Sequence, residues 1–340
     1  MRFGSVPLDQ AEGKILGHNI AGPDGRRLLR KGKPLTHDDL IALRHIGRTS
    51  VYVAELQPND LDEDAAARRV ADAVAGNGLR LSGPASGRVN LLATALGVLR
   101  VDVDRLVRIN QCDGVTVATL AAQTPVRARQ ITATVKIIPF AIHATIISAV
   151  EQIAAESGPL LRVDELAPQP VGLILSGSLS IRDKLAVDFA PLGERVAALG
   201  SHILGTEYVP LEDESGETML AEALKRQRAD GARLIILAGE TAIMDRDDIV
   251  PRAVERAGGC VECVGAPVDP GNLLMLAYLD NLPILGAPGC ARSRKINIID
   301  WMLPRLLVGD RLTRADIVSL GHGGLLEDAP ERPMPRDDLA

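Results

Sequence analysis

Residues 282–300 read LPILGAPGCARSRKINIID and join two different patterns of apolar residues. The run Leu282–Leu285 is apolar throughout and ends at a glycine–proline turn, Gly286–Gly289. Beyond the turn, apolar residues recur at steps of three and four, at Ile296, Ile299, Met302 and Leu303. Such steps are typical of a helix, so the segment predicts a strand, a turn and a helix in that order.

A basic segment, Arg292–Lys295, falls where this helix is predicted to begin. Positive side chains oppose the dipole of a helix at its N-terminus, so their presence in the first turn requires an explanation. The open backbone N–H groups of a strand-to-helix turn bind anions well. We therefore expect a bound phosphate at this turn.

The composition argues against several classes of function. The 340-residue chain carries 38 Lys and Arg against 44 Asp and Glu, a net charge of −6, and 2% aromatic residues. Neither a basic surface nor a stacking platform for bases is expected, so nucleic-acid binding is disfavoured. Four cysteines indicate no disulfide framework. Because no apolar run is long enough for a membrane span or a signal peptide, we expect a cytoplasmic protein without a membrane partner.

Changes of pattern along the chain predict four segments. Residues 1–60 are a small β-rich module, 61–167 a middle α+β region, 168–323 an α/β domain, and 324–340 a flexible polar tail. After residue 168, apolar strands alternate with helices, which predicts a three-layer domain with a mostly parallel sheet. The expected fold class is therefore α/β, with smaller β-rich and α+β modules before the C-terminal domain.

The first two segments give three further expectations. Thr36, with Asp39 three residues later, predicts a capped helix that ends near Gly47. Residues 61–78 are acidic and then alanine-rich, and we interpret them as one exposed helix. Residues 1–60 contain few large apolar groups for a core of their own. Their strands must then pack against the middle region or a second subunit, and we expect a homodimer whose contact includes this module.

Three turns are predicted to lie at one edge of the parallel sheet. They are Ser176-Gly177-Ser178, Ala238-Gly239-Glu240-Thr241 and Gly286–Gly289, and each follows an apolar strand. The carboxyl ends of parallel strands form the usual ligand crevice, although glycine needs no function in an ordinary turn. Together with Asp269-Pro270-Gly271 and the basic segment, these turns favour an anionic ligand.

Asp245, Asp247 and Asp248 follow the second turn and allow two interpretations. Their carboxylates suit Mg²⁺ beside a phosphate, and they equally suit the start of a helix. Cys260 and Cys263 are expected on opposite faces of a strand, which disfavours a shared metal. The sequence contains no G-x-x-x-x-G-K-[ST] loop, and no catalytic residue is assigned.

Four of these segments resemble the molybdopterin-binding domain of molybdenum-cofactor biosynthesis proteins. They are VGLILSGS, LIILAGETAIMDRDD, VDPGNLL and ILGAPGCARS, all within residues 168–310. The last is similar to the family's strand followed by G-[LA]-P-G-x-P-x-S and is the most specific. The second turn departs from the family's Gly-Gly-x-[SG]-x-Gly, because it reads AGETAI, with Glu240 at its centre.

The resemblance implies that the chain binds a pyranopterin dithiolate phosphate, as molybdopterin or as the molybdenum cofactor. The protein would act in maturation of the cofactor or in its delivery to a molybdenum-containing enzyme. If it is an enzyme, the resemblance implies an adenylyl-transfer or molybdate-insertion transferase that uses Mg²⁺ and ATP. The alternative is a non-catalytic carrier or docking protein. A nucleotide-cofactor oxidoreductase is disfavoured, because no G-x-G-x-x-G follows a strand.

The turns and the resemblance together define the predicted site. The predicted cofactor-binding residues are Ser176, Gly177, Ser178, Gly239, Glu240, Thr241, Pro270, Gly271, Gly286, Pro288, Gly289, Arg292 and Ser293. The predicted metal ligands are Asp245, Asp247 and Asp248. Glu240 would repel a phosphate in this site unless a metal or Arg292 offsets its charge.

Overall fold

The chain divides into two compact units in a computed structural model, which describes residues 1–211 and 213–326. The first unit comprises Met1–Ala95 and Leu99–Asp164, and the second comprises Leu96–Val98 and the chain from Glu165 onward. Both units mix helices with β-sheets. Within the described ranges, no helix combines the length and the apolar character needed to cross a membrane.

The first unit consists of short strands and four helices. Strands β1–β14 are Arg2–Pro7, Ile15–Leu16, Ile20–Ala21, Arg27–Leu29, Ser50–Glu55, Asp60–Asp62, Leu79–Leu81, Arg88–Ala93, Gly97–Val101, Val115–Thr119, Pro125–Val126, Ile131–Ile137, Ala141–His143 and Leu161–Glu165. Helices α1–α4 are His37–His45, Glu63–Val74, Val103–Asn110 and Ala144–Ala155. Gly97 and Val98 of β9 and Glu165 of β14 belong to the second unit. Strands β10 and β12 pair antiparallel.

A cluster of buried aliphatic side chains gives residues 1–55 a core of their own. Leu16 and Leu43 are fully buried in it, and Val53 packs beside them. Helix α1 begins with the predicted capping box, in which Thr36 N donates to Asp39 Oδ2 (2.9 Å) and Asp39 N donates to Thr36 Oγ1 (3.4 Å). The expectation that this module lacks a core is therefore wrong, because Leu and Val side chains fill its small interior.

The alanine-rich helix α2 buries one face in the core, so its interpretation as an exposed helix is also wrong. Ala67, Val70 and Val74 have no exposed surface, and α2 packs on α4 and on strands β8 and β12. The small alanine side chain lets these neighbours approach the helix axis closely. Composition alone does not distinguish such a core helix from a surface helix.

The second unit is built around one six-stranded sheet. Strands β15–β20 are Pro170–Gly177, His202–Pro210, Leu234–Gly239, Cys260–Val264, Met275–Leu279 and Leu282–Gly286. Helices α5–α10 are Arg182–Asp188, Ala190–Ala198, Ser215–Ala229, Ile249–Arg256, Ile298–Leu307 and Arg314–Ser319. The strand order is β16-β15-β17-β20-β19-β18, with the first four strands parallel and the last two antiparallel to their neighbours.

Successive residues of the central strand β15 alternate between two cores, one on each face of the sheet. Leu173 and Leu175 pack with residues of α6 and α9, whereas Ile174 packs with residues of α7 and α8. A parallel strand covered on both faces is apolar throughout, as this one is. The chain is therefore mixed α/β, as predicted, with helices on both faces of a mostly parallel sheet.

Segment 282–300 differs from the prediction in the place where its helix begins. β20 is followed by a short 3₁₀ helix, Gly289–Arg292, and α9 begins only at Ile298. Asn297 caps α9 in a capping box with Asp300, whose Oδ2 accepts a hydrogen bond from Asn297 N at 2.9 Å. Arg292–Lys295 therefore precedes the helix, and the argument from the helix dipole does not apply to it.

The predicted tail, residues 324–340, begins inside the packed structure. Leu326 is 8% exposed and its N–H donates to Asp269 O at 3.0 Å, while Asp269 N donates to Gly324 O at 2.8 Å. The expectation of a flexible segment is therefore wrong for residues 324–326. The rest of the predicted tail lies outside the described residues.

Aromatic side chains gather around the outer face of the N-terminal sheet β1-β5-β2. Phe3 is 46% exposed and Tyr52 is 50% exposed, with ring centroids 6.1 Å apart. The rings of His18 and Phe140 lie 5.6 and 6.5 Å from that of Phe3. In a chain with 2% aromatic residues, an exposed cluster of this kind favours contact with another molecule.

We predict that the full chain is a homodimer whose contact includes this aromatic face. Tyr52→Ser should shift the equilibrium towards the monomer, because it removes a large apolar surface from the contact. Light scattering at micromolar concentration measures the change. Leu28→Ser is the control, since Leu28 is 41% exposed on β4, outside the ring cluster, and the variant should stay dimeric. A monomeric wild-type chain, or unchanged dimerisation of Tyr52→Ser, would contradict the prediction.

Candidate functional site

The carboxyl ends of three parallel strands meet at one edge of the six-stranded sheet. β15 ends at Gly177, β17 at Gly239 and β20 at Gly286, and the ladders pair Ser176 with Gly239 and Leu237 with Gly286. The prediction that the three turns share an edge is therefore confirmed. A cleft of about 210 Å³ opens there, and we call it the carboxyl-edge cleft.

Polar groups from the first two turns line this cleft, together with aliphatic groups that follow β16 and β17 and begin α8. The predicted residues in its lining are Ser176, Gly177, Gly239, Glu240, Thr241 and Asp248. The third turn contributes Ala287. The aliphatic lining, which the sequence analysis did not identify, includes Leu211, Ile243, Ile249 and Val250. The cleft is therefore amphipathic, with one wall suited to a polar group and one to an apolar group.

Glu240 binds the donor groups of the first turn. Its Oε2 accepts hydrogen bonds from Ser178 N at 2.9 Å and from Ser178 Oγ at 2.7 Å. Its own N–H donates to Ser176 O at 2.8 Å, which ties the second turn to the first. Gly177 permits this approach, since a Cβ at that position would lie 2.8 Å from Glu240 Cβ. The protein thus places a carboxylate of its own where we expected an anionic ligand.

These contacts lower the pKa of Glu240 from its ordinary value of 4.5. The backbone N–H of Ser178 is the largest cause, followed by the Ser178 hydroxyl, and the positive charge of Arg292 adds to the effect. Hydrogen bonds to a carboxylate favour its charged form. The second turn therefore carries a negative charge at neutral pH.

Arg292 supports the second turn by hydrogen bonds to its backbone carbonyls. Its Nη2 donates to Gly239 O at 2.9 Å and to Glu240 O at 3.0 Å, and its guanidinium carbon lies 4.9 Å from the centroid of the Phe189 ring. Its Nε is buried and has no partner among the described residues. Arg292 is thus close enough to offset the charge of Glu240. Its Nη2 group, however, already donates its hydrogen bonds to the backbone and not to a ligand.

The acids that follow the second turn bond to their own loop. Asp248 Oδ2 accepts from Met244 N at 2.6 Å and from Asp245 N at 3.1 Å, and Asp245 Oδ1 accepts from Asp247 N at 2.9 Å. Asp248 lines the cleft, whereas Asp245 and Asp247 do not. In residues 1–211 and 213–326, no group of three His, Cys, Asp or Glu side chains is placed to hold a metal. The predicted magnesium site stays a prediction.

The remaining predicted residues lie outside the lining of the cleft. Gly271 packs against Ile298 at the start of α9, where an added Cβ would lie 2.5 Å from Ile298 Cγ2. Gly286 pairs with Met275 in the sheet. The others outside the lining are Ser178, Pro270, Pro288, Gly289, Arg292 and Ser293. The basic segment is also engaged within the protein, because Arg294 Nε donates to Glu194 Oε2 at 2.8 Å.

Two aromatic side chains that support the turns were missed by the sequence analysis. Tyr208 donates its hydroxyl hydrogen to Ser178 O, and Phe189 lies beneath the guanidinium of Arg292. The chain contains three Tyr and three Phe residues in all. Their scarcity was the available signal, because Tyr208 is 30 positions from Ser178 in the sequence and nothing else links the two.

Comparison with known proteins gives one family match and several distant structural likenesses. Residues 5–55 match the family model described as "Domain of unknown function (DUF8806)". No curated protein matches the chain. Among solved structures, a molybdenum cofactor biosynthesis protein from Pyrococcus furiosus is 12% identical, with a TM-score of 0.23. That match covers 94% of this chain and 65% of the other, so this chain spans less than two thirds of its length.

Two structures of molybdopterin biosynthesis MoeA protein from Pyrococcus horikoshii are also similar. One is 12% identical with a TM-score of 0.29, and the match covers 90% of this chain and 75% of that one. The other is 9% identical with a TM-score of 0.26, and covers 94% and 75%. Likenesses at these scores and identities establish neither a shared fold nor a shared function.

We predict that Glu240 stabilises the fold in a pH-dependent manner. Its folded-state pKa lies below 4.5, so its contribution is present above pH 4.5 and is lost as pH falls through the folded-state value. The free energy of unfolding of the wild type should exceed that of Glu240→Gln at pH 7, and the difference should shrink below pH 4.5. Urea unfolding of both proteins across this range measures it.

Glu255→Gln is the matched control for this comparison, because Glu255 is exposed on α8 and its carboxylate has no hydrogen-bond or ion-pair partner among the described residues. Its difference from the wild type should change less with pH. A difference between wild type and Glu240→Gln that grows as pH falls would show that the carboxylate is not held as described.

Proposed function

We propose that the carboxyl-edge cleft binds molybdopterin or the molybdenum cofactor and that the chain acts in maturation or delivery of that cofactor. The observation that carries this proposal is the convergence of the predicted turns. Ser176, Gly239 and Ala287 come from three different strands and line one cleft. The segments that contain them are those that resemble the molybdopterin-binding domain, and the cleft lies where parallel sheets bind ligands.

Different parts of the cleft lining suit the planar ring and the polar edge of a pterin. Leu211, Ile243 and Val250 offer an apolar wall to a planar ring, while Ser176 and Thr241 offer hydroxyl groups to its polar edge. A volume of about 210 Å³ is small for a whole ligand of this size. The ligand would therefore enter with one end and extend past the exposed Thr241 into solvent.

A phosphate group would compete with the protein itself at the first turn. The N–H and hydroxyl of Ser178 are the donors that would receive it, and Glu240 Oε2 uses both. The ligand fits this turn if the Glu240 side chain moves away from Ser178, or if a cation lies between the Glu240 carboxylate and the phosphate. Mg²⁺ beside Asp248 would provide such a cation, and it belongs to the proposal on that ground.

Bound molybdopterin supplies the dithiolate that holds molybdenum, and the chain's residues would bind and orient it. An enzyme of this kind would change the pterin in the presence of ATP, whereas a carrier or docking protein would return it unchanged to a molybdenum-containing enzyme. Incubation of the pterin-loaded chain with ATP and Mg²⁺, followed by analysis of the pterin, separates the two. We also propose that the protein works in the cytoplasm.

We predict that molybdopterin co-purifies with the full chain under anaerobic conditions and is detected by mass spectrometry. Val250→Phe should abolish the co-purification, because the larger side chain fills the cleft from the first turn of α8. Val187→Phe is the control, since Val187 is 74% exposed on α5 and does not line the cleft, and it should retain the ligand. Absence of any pterin from the wild type, or equal retention by Val250→Phe, would contradict the proposal.

A further inference from the structure

A second pocket lies at the opposite edge of the same sheet, at the amino ends of the parallel strands. Its volume is about 450 Å³, and we call it the amino-edge pocket. Gln169, Arg233 and Asn281 line it, and they directly precede β15, β17 and β20. Leu306 and Leu307 at the end of α9 supply an apolar wall. The volume falls within the range of small-molecule sites, roughly 300–1,000 Å³.

Arg233 brings an uncompensated positive charge to this pocket. Its backbone N–H donates to Pro170 O at 2.8 Å, which fixes the position of the residue at the strand end. Its side chain is exposed, and its guanidinium has no hydrogen-bond or ion-pair partner among the described residues. An arginine whose backbone is fixed and whose guanidinium is unpaired is available to bind a negatively charged group.

Arg311 adds a second guanidinium whose position is fixed by its neighbours. It lies over the ring of Tyr278, with Cζ 4.3 Å from the centroid, and its Nη1 donates to Asp280 O at 3.1 Å and Asn281 Oδ1 at 3.4 Å. The Tyr278 hydroxyl donates to Leu312 O at 2.9 Å and so holds the ring in place. The N–H groups on Nε and Nη2 of Arg311 have no partner in the described part of the chain.

The carboxylate in the lining of this pocket is paired within the protein. Asp310 forms an ion pair with Arg305, whose Nε lies 3.2 Å from Asp310 Oδ2. Among the last carbonyls of α9, Leu306 O accepts a hydrogen bond from Gly309 N at 3.2 Å, and Arg305 O accepts from Asp310 N at 2.9 Å. A chain of net charge −6 thus presents two arginine side chains here, with the neighbouring carboxylate already paired.

We propose that the amino-edge pocket binds a small organic anion, with a carboxylate or phosphate group held between Arg233 and Arg311 and an apolar part against Leu306 and Leu307. Guanidinium groups bind planar carboxylate and phosphate oxygens through paired N–H donors. Ligands of α/β sheets usually bind at the carboxyl edge. Because the amino-edge pocket lies at the other end of the strands, it is a separate site from the carboxyl-edge cleft. A six-residue strand such as β17 separates the two edges by roughly 20 Å.

Calorimetric titration of the full chain with phenyl phosphate tests the proposal, with benzoate, inorganic phosphate and phenol as comparison probes. Phenyl phosphate or benzoate should bind more tightly than either inorganic phosphate or phenol, because only the first two combine an anion with an apolar ring. Arg233→Gln should weaken the binding by roughly ten- to a hundredfold, the effect of losing a charge-assisted hydrogen bond. Arg311→Gln should weaken it similarly.

Arg68→Gln is the control for loss of one positive charge, because Arg68 is 51% exposed on α2 and pairs with Asp72. This variant should bind the probes as the wild type does. Val250→Phe, which fills the carboxyl-edge cleft, should also leave the binding unchanged. Absence of binding by both ring-bearing anions would overturn the proposal, as would binding that Val250→Phe abolishes and Arg233→Gln spares. Because Arg233 is exposed and unpaired, Arg233→Gln is expected to fold, so its result does not depend on stability.

Discussion

The parallel pairing of β15 with β17, and of β17 with β20, is the constraint on which the second unit depends. Parallel neighbours require a crossover connection, so helices alternate with strands and cover both faces of the sheet. The strands themselves are then apolar on both sides. Polar chemistry is consequently confined to the two edges, where the chain enters and leaves each strand.

The two edges have opposite electrostatic character. The carboxyl-edge cleft carries Glu240 and Asp248 beside open backbone turns, and Glu240 is held as an anion by Ser178. The amino-edge pocket carries Arg233 and Arg311. A phosphate-bearing ligand at the carboxyl edge must therefore displace Glu240 or share the turn with a cation, whereas an anion at the amino edge meets the unpaired guanidinium of Arg233. Arg292 and Tyr208 support the turns of the first edge through hydrogen bonds to their backbone carbonyls.

The sequence predicted the strands of the second unit well, because buried parallel strands are short apolar runs that end in glycine turns. It also placed Ser176 and Gly239 at a common edge, since parallel connectivity follows from strand–helix alternation. It placed the start of α9 too early, because the apolar spacing extends back to Ile296, whereas the capping pair Asn297 and Asp300 begins the helix after that residue. The exposed position of Ile296, 50% of whose surface is accessible, breaks the helical periodicity that the sequence suggested.

The sequence pattern did not predict contacts between residues that are far apart in the chain. Glu240 and Ser178 are separated by 62 positions. Nothing in the sequence of either turn indicates that the Glu240 carboxylate accepts the hydrogen bonds of Ser178. The buried face of α2 was missed for a related reason, because alanine is equally common in exposed helices and in closely packed ones. Only the neighbours of the helix, β8, β12 and α4, show which case applies.

The central claim, that Glu240 and a ligand phosphate compete for Ser178, is tested most directly by the affinity of the full chain for molybdopterin. Anaerobic titrations of wild type and Glu240→Gln give the comparison, with Glu214→Gln, which removes an 83% exposed carboxylate, as the control. The account predicts that Glu240→Gln binds molybdopterin about tenfold more tightly, that the dephosphorylated pterin shows no such gain, and that Glu214→Gln behaves as wild type. Equal or weaker binding by Glu240→Gln would contradict it.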